Sequence, residues 1–289
     1  MTLEITPIDA TLGATVRGVC LDALDDGTFA AIEAAWYAHA VLVFPGQHLS
    51  EEAQVAFSER FGPLERVVIK IHAQHNPAVI HLSNVKKDGT LWPANSETGL
   101  LLKGNNDWHT DSSFKRIPAK GSALTARIVP ESGGDTAFAD MRAAYDALDP
   151  AMQAWLADKI AVHSYAYSQG RVGGMTGLSE DEREALPPVQ QPVIRTHPAT
   201  GRRNLYIGRH ASHIVGEDER ESRRLLERLC EDACRPPRVF THRWSVGDLV
   251  LWDNRCVLHR GLGYPADQPR HMVRTTIAGD SGVTSERVA

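Results

Sequence analysis

A histidine and an aspartate lie two positions apart in the stretch Trp108-His109-Thr110-Asp111. In an extended segment, residues i and i+2 point to the same side, so His109 and Asp111 can bind one metal ion from one face. A mononuclear iron site with two histidines and one carboxylate needs one more histidine and leaves three coordination positions open. The rest of the chain must therefore supply that histidine and something to fill the open positions.

The most suitable second histidine among the thirteen in the chain is His259. It lies in the segment Cys256-Val257-Leu258-His259-Arg260, just after the apolar run Leu249–Asn254. An antiparallel fold can bring this late segment beside the earlier His109 stretch. A histidine in such a segment is more often structural or exposed, so His259 becomes a candidate metal ligand only in combination with other features.

Two arginines, Arg270 and Arg274, follow on the predicted strand Pro269–Ile277. With a spacing of four they share one face of the strand with Met272 and Thr276. Guanidinium groups on the inner face of a sheet are costly unless anions neutralise them, and arginine binds carboxylates in a planar, two-pronged way. Internal salt bridges are one explanation of the pair. The other is two anionic small molecules, one for each arginine.

The elements that must position these residues are mostly strands. Alternating or continuous apolar runs predict strands at Val41–Phe44, Ala78–Val85, Gly121–Val129, Thr136–Phe138, Ala161–Ser168, in a hairpin over Pro192–Ile207, and over most of Val239–Ile277. Apolar residues at helical spacing behind capping side chains predict helices from Asp25 or Asp26 to Ala40, from Ser50 to Gly62-Pro63, over Met141–Lys159 and over Glu219–Cys234. Residues Thr90–Asn106 show no clear periodicity.

The chain shows no internal repeat, no low-complexity segment and no linker that would divide it. This pattern predicts a single domain over residues 1–289, mainly β with flanking helices, built as a β-sandwich or a jelly roll. Residues 169–191 differ in character, with Gly173-Gly174, an acidic run at Glu180-Asp181-Glu182 and Pro187-Pro188. A long connection of this kind is either a lid over a site or a surface insertion.

Charge and composition narrow the class of protein. The formal net charge of -5 argues against a nucleic-acid partner. The N-terminal residues lack the basic start and apolar segment of a signal peptide, and no apolar run approaches the roughly 20 residues that cross a bilayer. The four cysteines have no zinc-finger or redox spacing. We therefore expect reduced cysteines in a cytoplasmic protein without membrane contact.

The ordered set of motifs resembles a known group, the Fe(II)- and 2-oxoglutarate-dependent dioxygenases of the taurine dioxygenase and phenoxyacetate dioxygenase superfamily. The matching segments are Phe44-Pro45-Gly46-Gln47, Phe61-Gly62-Pro63, Trp108-His109-Thr110-Asp111, Gly133-Gly134-Asp135-Thr136, Trp252-Asp253-Asn254-Arg255, His259-Arg260 and the Arg270 and Arg274 pair. The His-x-Asp motif alone is nonspecific, whereas the ordered set is highly specific.

The resemblance implies a double-stranded β-helix (jelly roll) core and a role for each matching residue. His109, Asp111 and His259 would bind Fe(II), which 2-oxoglutarate chelates while O2 takes a remaining position. Arg270 and the hydroxyl of Thr136 would bind the far carboxylate of 2-oxoglutarate. Arg274 would face a small anionic organic substrate. Family habit also suggests a homo-oligomer.

Within this group the chain is most similar to the aryloxyalkanoate dioxygenases, including the phenoxypropionate type. Two stretches carry that closer match, Phe138–Leu148 and Ile207-Gly208-Arg209-His210-Ala211. The implied reaction hydroxylates a phenoxy acid beside its ether oxygen, and the product collapses to a phenol and an oxo acid, with succinate and CO2 as coproducts. Further candidates for substrate contact are Lys70, His72, Lys103 and Asn105.

Other functions compete with this interpretation. An alkylsulfonate (taurine) or alkyl sulfate dioxygenase, or a native carboxylate hydroxylase, would use the same chemistry, because arginine accepts all of these anions. A zinc hydrolase could use the same two histidines and aspartate, but the arginine pair and the missing general-base motif argue against it. An inactive binding protein of the same fold is disfavoured because no ligand position is substituted.

Overall fold

The computed structural model describes residues 2–66, 76–171 and 180–280, with only the backbone for residues 181–183. Lys70 and His72 lie outside the described residues, as do residues 172–179 of the predicted lid or insertion. The part of the chain that is described forms fifteen strands and eight helices. The predominance of strands agrees with the prediction of a mainly β protein.

The strands and helices have the following bounds in chain order. The strands are β1 (Glu4–Pro7), β2 (Ala14–Arg17), β3 (Val41–Phe44), β4 (Val79–Ser83), β5 (Gly121–Ile128), β6 (Thr136–Asp140), β7 (Ile160–His163), β8 (Val189–Pro192), β9 (Ile194–Thr196), β10 (Arg203–Leu205), β11 (Ala211–Ile214), β12 (Val239–His242), β13 (Leu249–Asp253), β14 (Val257–Gly261) and β15 (His271–Ile277). The helices are α1 (Asp26–His39), α2 (Glu51–Glu59), α3 (Glu97–Gly104), α4 (Met141–Asp146), α5 (Pro150–Leu156), α6 (Tyr165–Arg171), α7 (Glu180–Ala185) and α8 (Glu219–Ala233).

The larger sheet has seven strands in the order β1-β2-β3-β13-β5-β15-β4. A three-stranded sheet, β12-β6-β14, faces it, because Phe138 of β6 and Val257 of β14 pack in one buried cluster with Trp252 of β13 and Met272 of β15. Side chains alternate along a strand, so the face of β15 that carries Met272 also carries Arg274 between the two sheets. This agrees with the predicted inward direction of that arginine.

Helices cover the outer faces of both sheets. Trp36 of α1 and Phe57 of α2 pack against the far side of the seven-stranded sheet through Leu42 and Leu251. On the other side, α4 and α8 pack with β7, β10 and β11 against the three-stranded sheet. Two predicted caps are present, since Asp25 accepts a hydrogen bond from Thr28 N at 2.8 Å and Ser50 accepts one from Ala53 N at 3.1 Å.

Three predicted segments differ from the structure. The predicted helix Met141–Lys159 is divided into α4 and α5, because Asp149 caps a new helix that has Pro150 in its first turn. The predicted strand Ala161–Ser168 ends at His163, and α6 follows. The stretch Thr90–Asn106, with no predicted element, contains α3 behind the cap Ser96; two turns are too short to show a clear helical period.

The segment 169–191 contains regular structure at both ends. Gln169 belongs to α6, and Val189 to Gln191 belong to β8, which pairs with β7. Gln191 is buried and donates hydrogen bonds from Nε2 to the carbonyls of Ser113 and Lys115, at 3.2 and 3.1 Å. The connection anchored in this way is therefore shorter than the predicted boundaries.

Among the described residues, none of the helices combines the length and the apolar character that a bilayer crossing requires.

Candidate active site

The two predicted histidines meet across an antiparallel bridge between the His109 segment and β14. The His109 amide donates to the His259 carbonyl at 3.0 Å, and the His259 amide donates to the His109 carbonyl at 2.7 Å. The ring centroids lie 4.2 Å apart. The late strand therefore reaches the early segment as predicted, and the backbone bonds set how the two rings face each other.

Asp111 completes a buried group of three. Its Oδ2 lies 3.7 Å from His259 Nε2, and the ligand atoms of Asp111, His109 and His259 all lie within 4.8 Å of one another. His109 Nδ1 lies 2.7 Å from the carbonyl oxygen of Asp107. Because a carbonyl only accepts, Nδ1 carries the hydrogen and Nε2 keeps its lone pair, as a metal-binding histidine requires.

The protonation states of the group also suit a divalent cation. Burial lowers the pKa of His259 to about 4 and the pKa of His109 well below its usual range. Burial raises the pKa of Asp111, but Arg274, the two histidines and a hydrogen bond from Ser122 outweigh this and hold it well below its usual range. At neutral pH the group therefore consists of two neutral imidazoles and one carboxylate, which need no deprotonation before a metal binds.

A second buried group of possible ligands consists of His197, Asp253 and Cys256. His197 Nδ1 accepts a hydrogen bond from the Thr200 amide at 3.2 Å, so Nε2 carries the hydrogen and donates to Asp253 Oδ2 at 3.0 Å. Arg255 donates to both oxygens of Asp253 at 2.8 and 2.5 Å. Both ring nitrogens of His197 and both carboxylate oxygens of Asp253 are thus already hydrogen-bonded, so this group is better explained as an internal ion network than as a metal site.

Arg270 and Thr136 lie on one side of the triad. Both line a cavity of about 570 Å³ that also touches His109 and His259. Arg270 donates from Nε and Nη2 to the Gly134 carbonyl at 3.2 and 3.1 Å. Burial lowers the pKa of its guanidinium, and the nearby Tyr264 and Asp135 oppose this shift, but across the described ranges no carboxylate forms an ion pair with it. The cavity therefore presents a mostly buried cation without an acidic partner.

The turn before Thr136 explains the two glycines of the matching motif. Gly133 and Gly134 have φ angles of +71° and +74°. A Cβ on Gly134 would lie 2.8 Å from Pro130 Cγ and 3.2 Å from Arg270 Nε. A side chain at this position would be strained and would disturb the arginine, so glycine is required there.

Arg274 lies between this cavity and a second one. Its Nη1 donates to Asp111 Oδ1 at 2.6 Å, while its Nε is buried without a hydrogen-bond partner. The second cavity encloses about 950 Å³, part of it open to solvent. His109, Asn105 and Arg274 line both cavities, so the two spaces meet at the triad.

The second cavity is lined by both apolar and polar side chains. The apolar side chains come from several segments: Ile80, Leu82, Leu101, Phe114 and Leu186. Polar side chains near the triad include Arg209, His210 and Gln169. Burial lowers the pKa of Arg209 and holds the pKa of His210 well below its usual range, so the imidazole is neutral near pH 7.

The further substrate candidates have different outcomes. Asn105 lines both cavities, but Lys103 is exposed in the last turn of α3 and lines neither. A lysine near a helix C-terminus is favoured by the helix dipole, which accounts for Lys103 without a ligand. The candidate role of Lys103 is therefore not supported. Sequence reasoning missed Arg209 and His210 as site residues, although Ile207–Ala211 carried the closer family match.

Comparisons with known proteins agree with this geometry. Residues 4–276 match the family described as Taurine catabolism dioxygenase TauD, TfdA family. The (S)-phenoxypropionate/alpha-ketoglutarate-dioxygenase of Delftia acidovorans is 46% identical over 287 residues, which cover 96% of each chain. The alpha-ketoglutarate-dependent 2,4-dichlorophenoxyacetate dioxygenase of Cupriavidus pinatubonensis is 42% identical over 288 residues, covering 98% of this chain and 100% of the relative. The crystal structure of AAD-2 in complex with Mn(II) and N-oxalylglycine superposes with a TM-score of 0.90 at 39% identity, with both chains fully covered.

Proposed function

The chain belongs to the taurine catabolism dioxygenase TauD, TfdA family, and we propose that it cleaves aryloxyalkanoates (phenoxy acids) to a phenol and an oxo acid. It is a 2-oxoglutarate-dependent dioxygenase whose cofactors are Fe(II), 2-oxoglutarate and O2. Membership of this dioxygenase family argues against a zinc hydrolase and against an inactive binding protein.

His109, Asp111 and His259 would hold Fe(II). Their donor atoms converge within 4.8 Å, and the two imidazoles are neutral while the carboxylate is ionised. Two histidines and one carboxylate would supply three ligands to the metal and leave coordination positions for the cosubstrate and O2.

Arg270 and Thr136 would hold the far carboxylate of 2-oxoglutarate. The guanidinium is mostly buried, contacts a carbonyl and the ring of Tyr264, and lies in the cavity that reaches the two histidines. Thr136 Oγ1 already accepts a hydrogen bond from Trp244 Nε1 at 2.9 Å, so its hydrogen is free to be donated to a carboxylate. An anion here would neutralise a cation that lacks an acidic partner in the described structure.

The substrate assignment rests on the lining of the larger cavity, which combines buried polar groups with apolar side chains. Among the residues that line this cavity, Arg274 Nε, Arg209 Nε and Thr276 Oγ1 are buried donors without a hydrogen-bond partner. Apolar side chains line other parts of the same space. An anionic head at the arginines with an aromatic body against the apolar side chains satisfies both, because buried polar groups need partners and an aryl ring gains from burial.

Fe(II) and 2-oxoglutarate, when bound, supply the oxidation that places one atom of O2 on a substrate C–H carbon and releases succinate and CO2. The protein contributes the orientation. Arg274 adjoins the triad, so a carboxylate held there keeps the carbon between carboxylate and ether oxygen near the metal position. Hydroxylation of that carbon gives a hemiacetal or hemiketal, which breaks into a phenol and an oxo acid.

Alkylsulfonates, alkyl sulfates and native carboxylates remain as alternative substrates of the same chemistry. Taurine also carries an ammonium group, which would require an acidic partner in the cavity. Glu65 lines the cavity but already binds Lys115 Nζ at 2.5 Å and Ser112 Oγ at 2.8 Å. This favours a substrate with one anionic end and an apolar body over a zwitterion.

The facing sheets β12-β6-β14 and β1-β2-β3-β13-β5-β15-β4 support a double-stranded β-helix (jelly roll) core within a single domain. A lid over residues 169–191, a homo-oligomeric state and a cytoplasmic location stay predictions.

A substrate panel read out by succinate production tests the proposal. The panel contains both enantiomers of a phenoxypropionate, phenoxyacetate, taurine and an alkyl sulfate, each with Fe(II) and 2-oxoglutarate. We expect substrate-dependent succinate and phenol from at least one phenoxy acid at a kcat/KM well above those of taurine and the alkyl sulfate. A preference for taurine or the alkyl sulfate would replace the proposed substrate class.

A further inference from the structure

A buried amide side chain, that of Asn254, lies behind the metal-binding carboxylate. Its Oδ1 accepts hydrogen bonds from Trp252 Nε1 at 2.9 Å and from the Asp111 amide at 3.2 Å, and it lies 3.2 Å from Thr110 Oγ1, which donates to the Asn254 backbone carbonyl at 2.7 Å. The first two donors are N–H groups that cannot accept, so they determine which end of the amide is the oxygen. The orientation of the Asn254 amide is therefore known.

The other end of the amide points to a serine. Asn254 Nδ2 donates to Ser122 Oγ at 2.9 Å, and Ser122 Oγ lies 2.7 Å from Asp111 Oδ2. Because the amide nitrogen only donates, the Ser122 hydroxyl must use its single hydrogen toward the carboxylate. The chain of bonds thus runs in one direction, from Asn254 through Ser122 to Asp111.

These residues join three separate segments with little access for water. Ser122 lies on β5 opposite Trp252 of β13, Asn254 follows β13, and Thr110 lies between two members of the triad. The exposed fractions of Ser122, Asn254 and Thr110 are 0%, 1% and 1%. A hydrogen bond in such surroundings is not replaced by water when it is lost, so it restricts rotation of the carboxylate effectively.

Asp111 is held differently at its two oxygens. Oδ1 is bound by Arg274, the residue that would also bind the substrate anion, whereas Oδ2 is bound by Ser122, which lines neither cavity. A substrate can draw Arg274 away from Asp111, but it cannot reach Ser122. The Ser122 hydrogen bond is therefore the one that a substrate anion in the cavities would leave in place.

We propose that Ser122 and Asn254 are positioning residues that orient the Asp111 carboxylate for the metal. This inference rests on the proposed function, since it assumes a metal at the triad. Neither residue touches the metal or the substrate. Ser122 fixes the rotation of the carboxylate, and Asn254 fixes the direction of the Ser122 hydroxyl together with the backbone of Asp111.

The test is Co²⁺ binding to the metal-free full-length protein, followed by the absorption spectrum of the bound ion. We expect Ser122→Ala to raise the Co²⁺ Kd by about 10- to 100-fold, which is the usual effect of losing a group that orients a metal ligand, and to alter the spectrum. Ser122→Thr and Ser122→Val form a matched pair of nearly equal volume. Thr is expected to bind Co²⁺ like the wild type or close to it, and Val like Ala.

Ser58→Ala is the control for loss of any buried serine, because Ser58 is fully buried and shares a hydrogen bond with Thr275 Oγ1 at 2.7 Å on the helix side of the sheet. It should leave the Co²⁺ Kd and spectrum unchanged. Equal binding by the Thr and Val variants, or an equal loss in Ser58→Ala, would overturn the inference. His109→Ala distinguishes failure of the proposed metal site from failure of the positioning role. If His109→Ala binds Co²⁺ as the wild type does, the proposed metal site is wrong. If His109→Ala loses Co²⁺ binding but Ser122→Ala does not, only the role of Ser122 is wrong.

Discussion

Arg270, just before β15, and Arg274, on β15, have different electrostatic surroundings although they are only four positions apart in the sequence. Arg270 contacts a carbonyl oxygen and the face of a tyrosine ring, and Arg274 forms an ion pair with Asp111 at 2.6 Å. An anion that reaches Arg270 meets a cation that is near Asp135 but forms no ion pair with it in the described structure. An anion that reaches Arg274 must compete with a carboxylate already bound there. We therefore expect the Arg270 side to bind its anion more tightly than the Arg274 side.

The walls of the two cavities differ in a related way. Strand residues form much of the wall on the Arg270 side, including Leu124 of β5, Thr136 of β6 and His259 of β14. On the Arg274 side, Phe114, Leu186 and Arg209 come from connections between elements. Strand positions are determined by register, whereas connections are not. The cosubstrate side is thus the more rigidly defined part of the site.

The largest expected effect comes from the triad, where both cavities meet. His109→Ala or Asp111→Ala should abolish Fe(II)-dependent succinate formation, because two ligands do not hold the metal in the required arrangement. His213→Ala, which changes a histidine on β11 outside both cavities, should retain activity. Full activity in either triad variant would remove the basis for the comparison.

Arg270→Ala should have the next largest effect. It should change the binding of 2-oxoglutarate and leave the binding of the phenoxy acid almost unchanged. Loss of a charge-assisted pair in a mostly buried site is expected to raise the KM for 2-oxoglutarate by about 10- to 100-fold. The KM for the phenoxy acid should change by less than about threefold. Steady-state kinetics that show the larger KM change for the phenoxy acid would contradict the separate roles of the two arginines.

Arg274→Ala should give a smaller change in KM and an effect of opposite sign on the metal. The KM for the phenoxy acid should rise by about 10-fold, less than the effect at Arg270, because part of the charge of Arg274 is already used by Asp111. Removing a cation beside Asp111 should also tighten Co²⁺ binding by about threefold to tenfold. Calorimetric titration that shows weaker Co²⁺ binding would mean that Arg274 supports Asp111 instead of competing for it.

The residues on the Arg270 side of the site could be predicted from the sequence. Those on the Arg274 side could be predicted only in part. His109 and Asp111 could be predicted because residues two positions apart in an extended segment point to the same side. His259 could be predicted as their partner because an antiparallel fold can bring its segment beside theirs. Thr136 and Arg270 depend on the family motif, since a threonine after two glycines is ordinary by itself.

The other features of the site depend on side-chain contacts that cannot be predicted from the spacing of residues in the sequence. Arg209 reaches the cavity because Gly104 of α3 leaves room for its guanidinium; a Cβ at Gly104 would lie 2.8 Å from Arg209 Nη1. Neither α3 nor this approach shows as a periodic pattern. The pairing of Arg274 with Asp111 depends on the side-chain path across the interior. Lys103, two residues from Asn105, is exposed in the last turn of α3 and lines neither cavity, and the sequence does not show this difference.

The last expected effect is on stability and not on activity, and it concerns two buried histidines, His210 in the lining of the larger cavity and His163 on β7. Burial lowers the pKa of His163 on β7 to about 3 and holds that of His210 well below its usual range. An unfolded histidine titrates near pH 6.5, so below that pH the unfolded chain takes up protons that the folded chain does not, and stability falls as the pH falls toward 3. His163→Phe keeps a ring to stack on Tyr206, whose centroid lies 5.6 Å away, and removes this proton uptake. In urea unfolding, the variant should gain about 2 kcal/mol relative to the wild type when the pH changes from 7.5 to 5. A difference in stability that is the same at both pH values would show that the acid sensitivity lies elsewhere, and would leave the contrast between the two sides to the arginines alone.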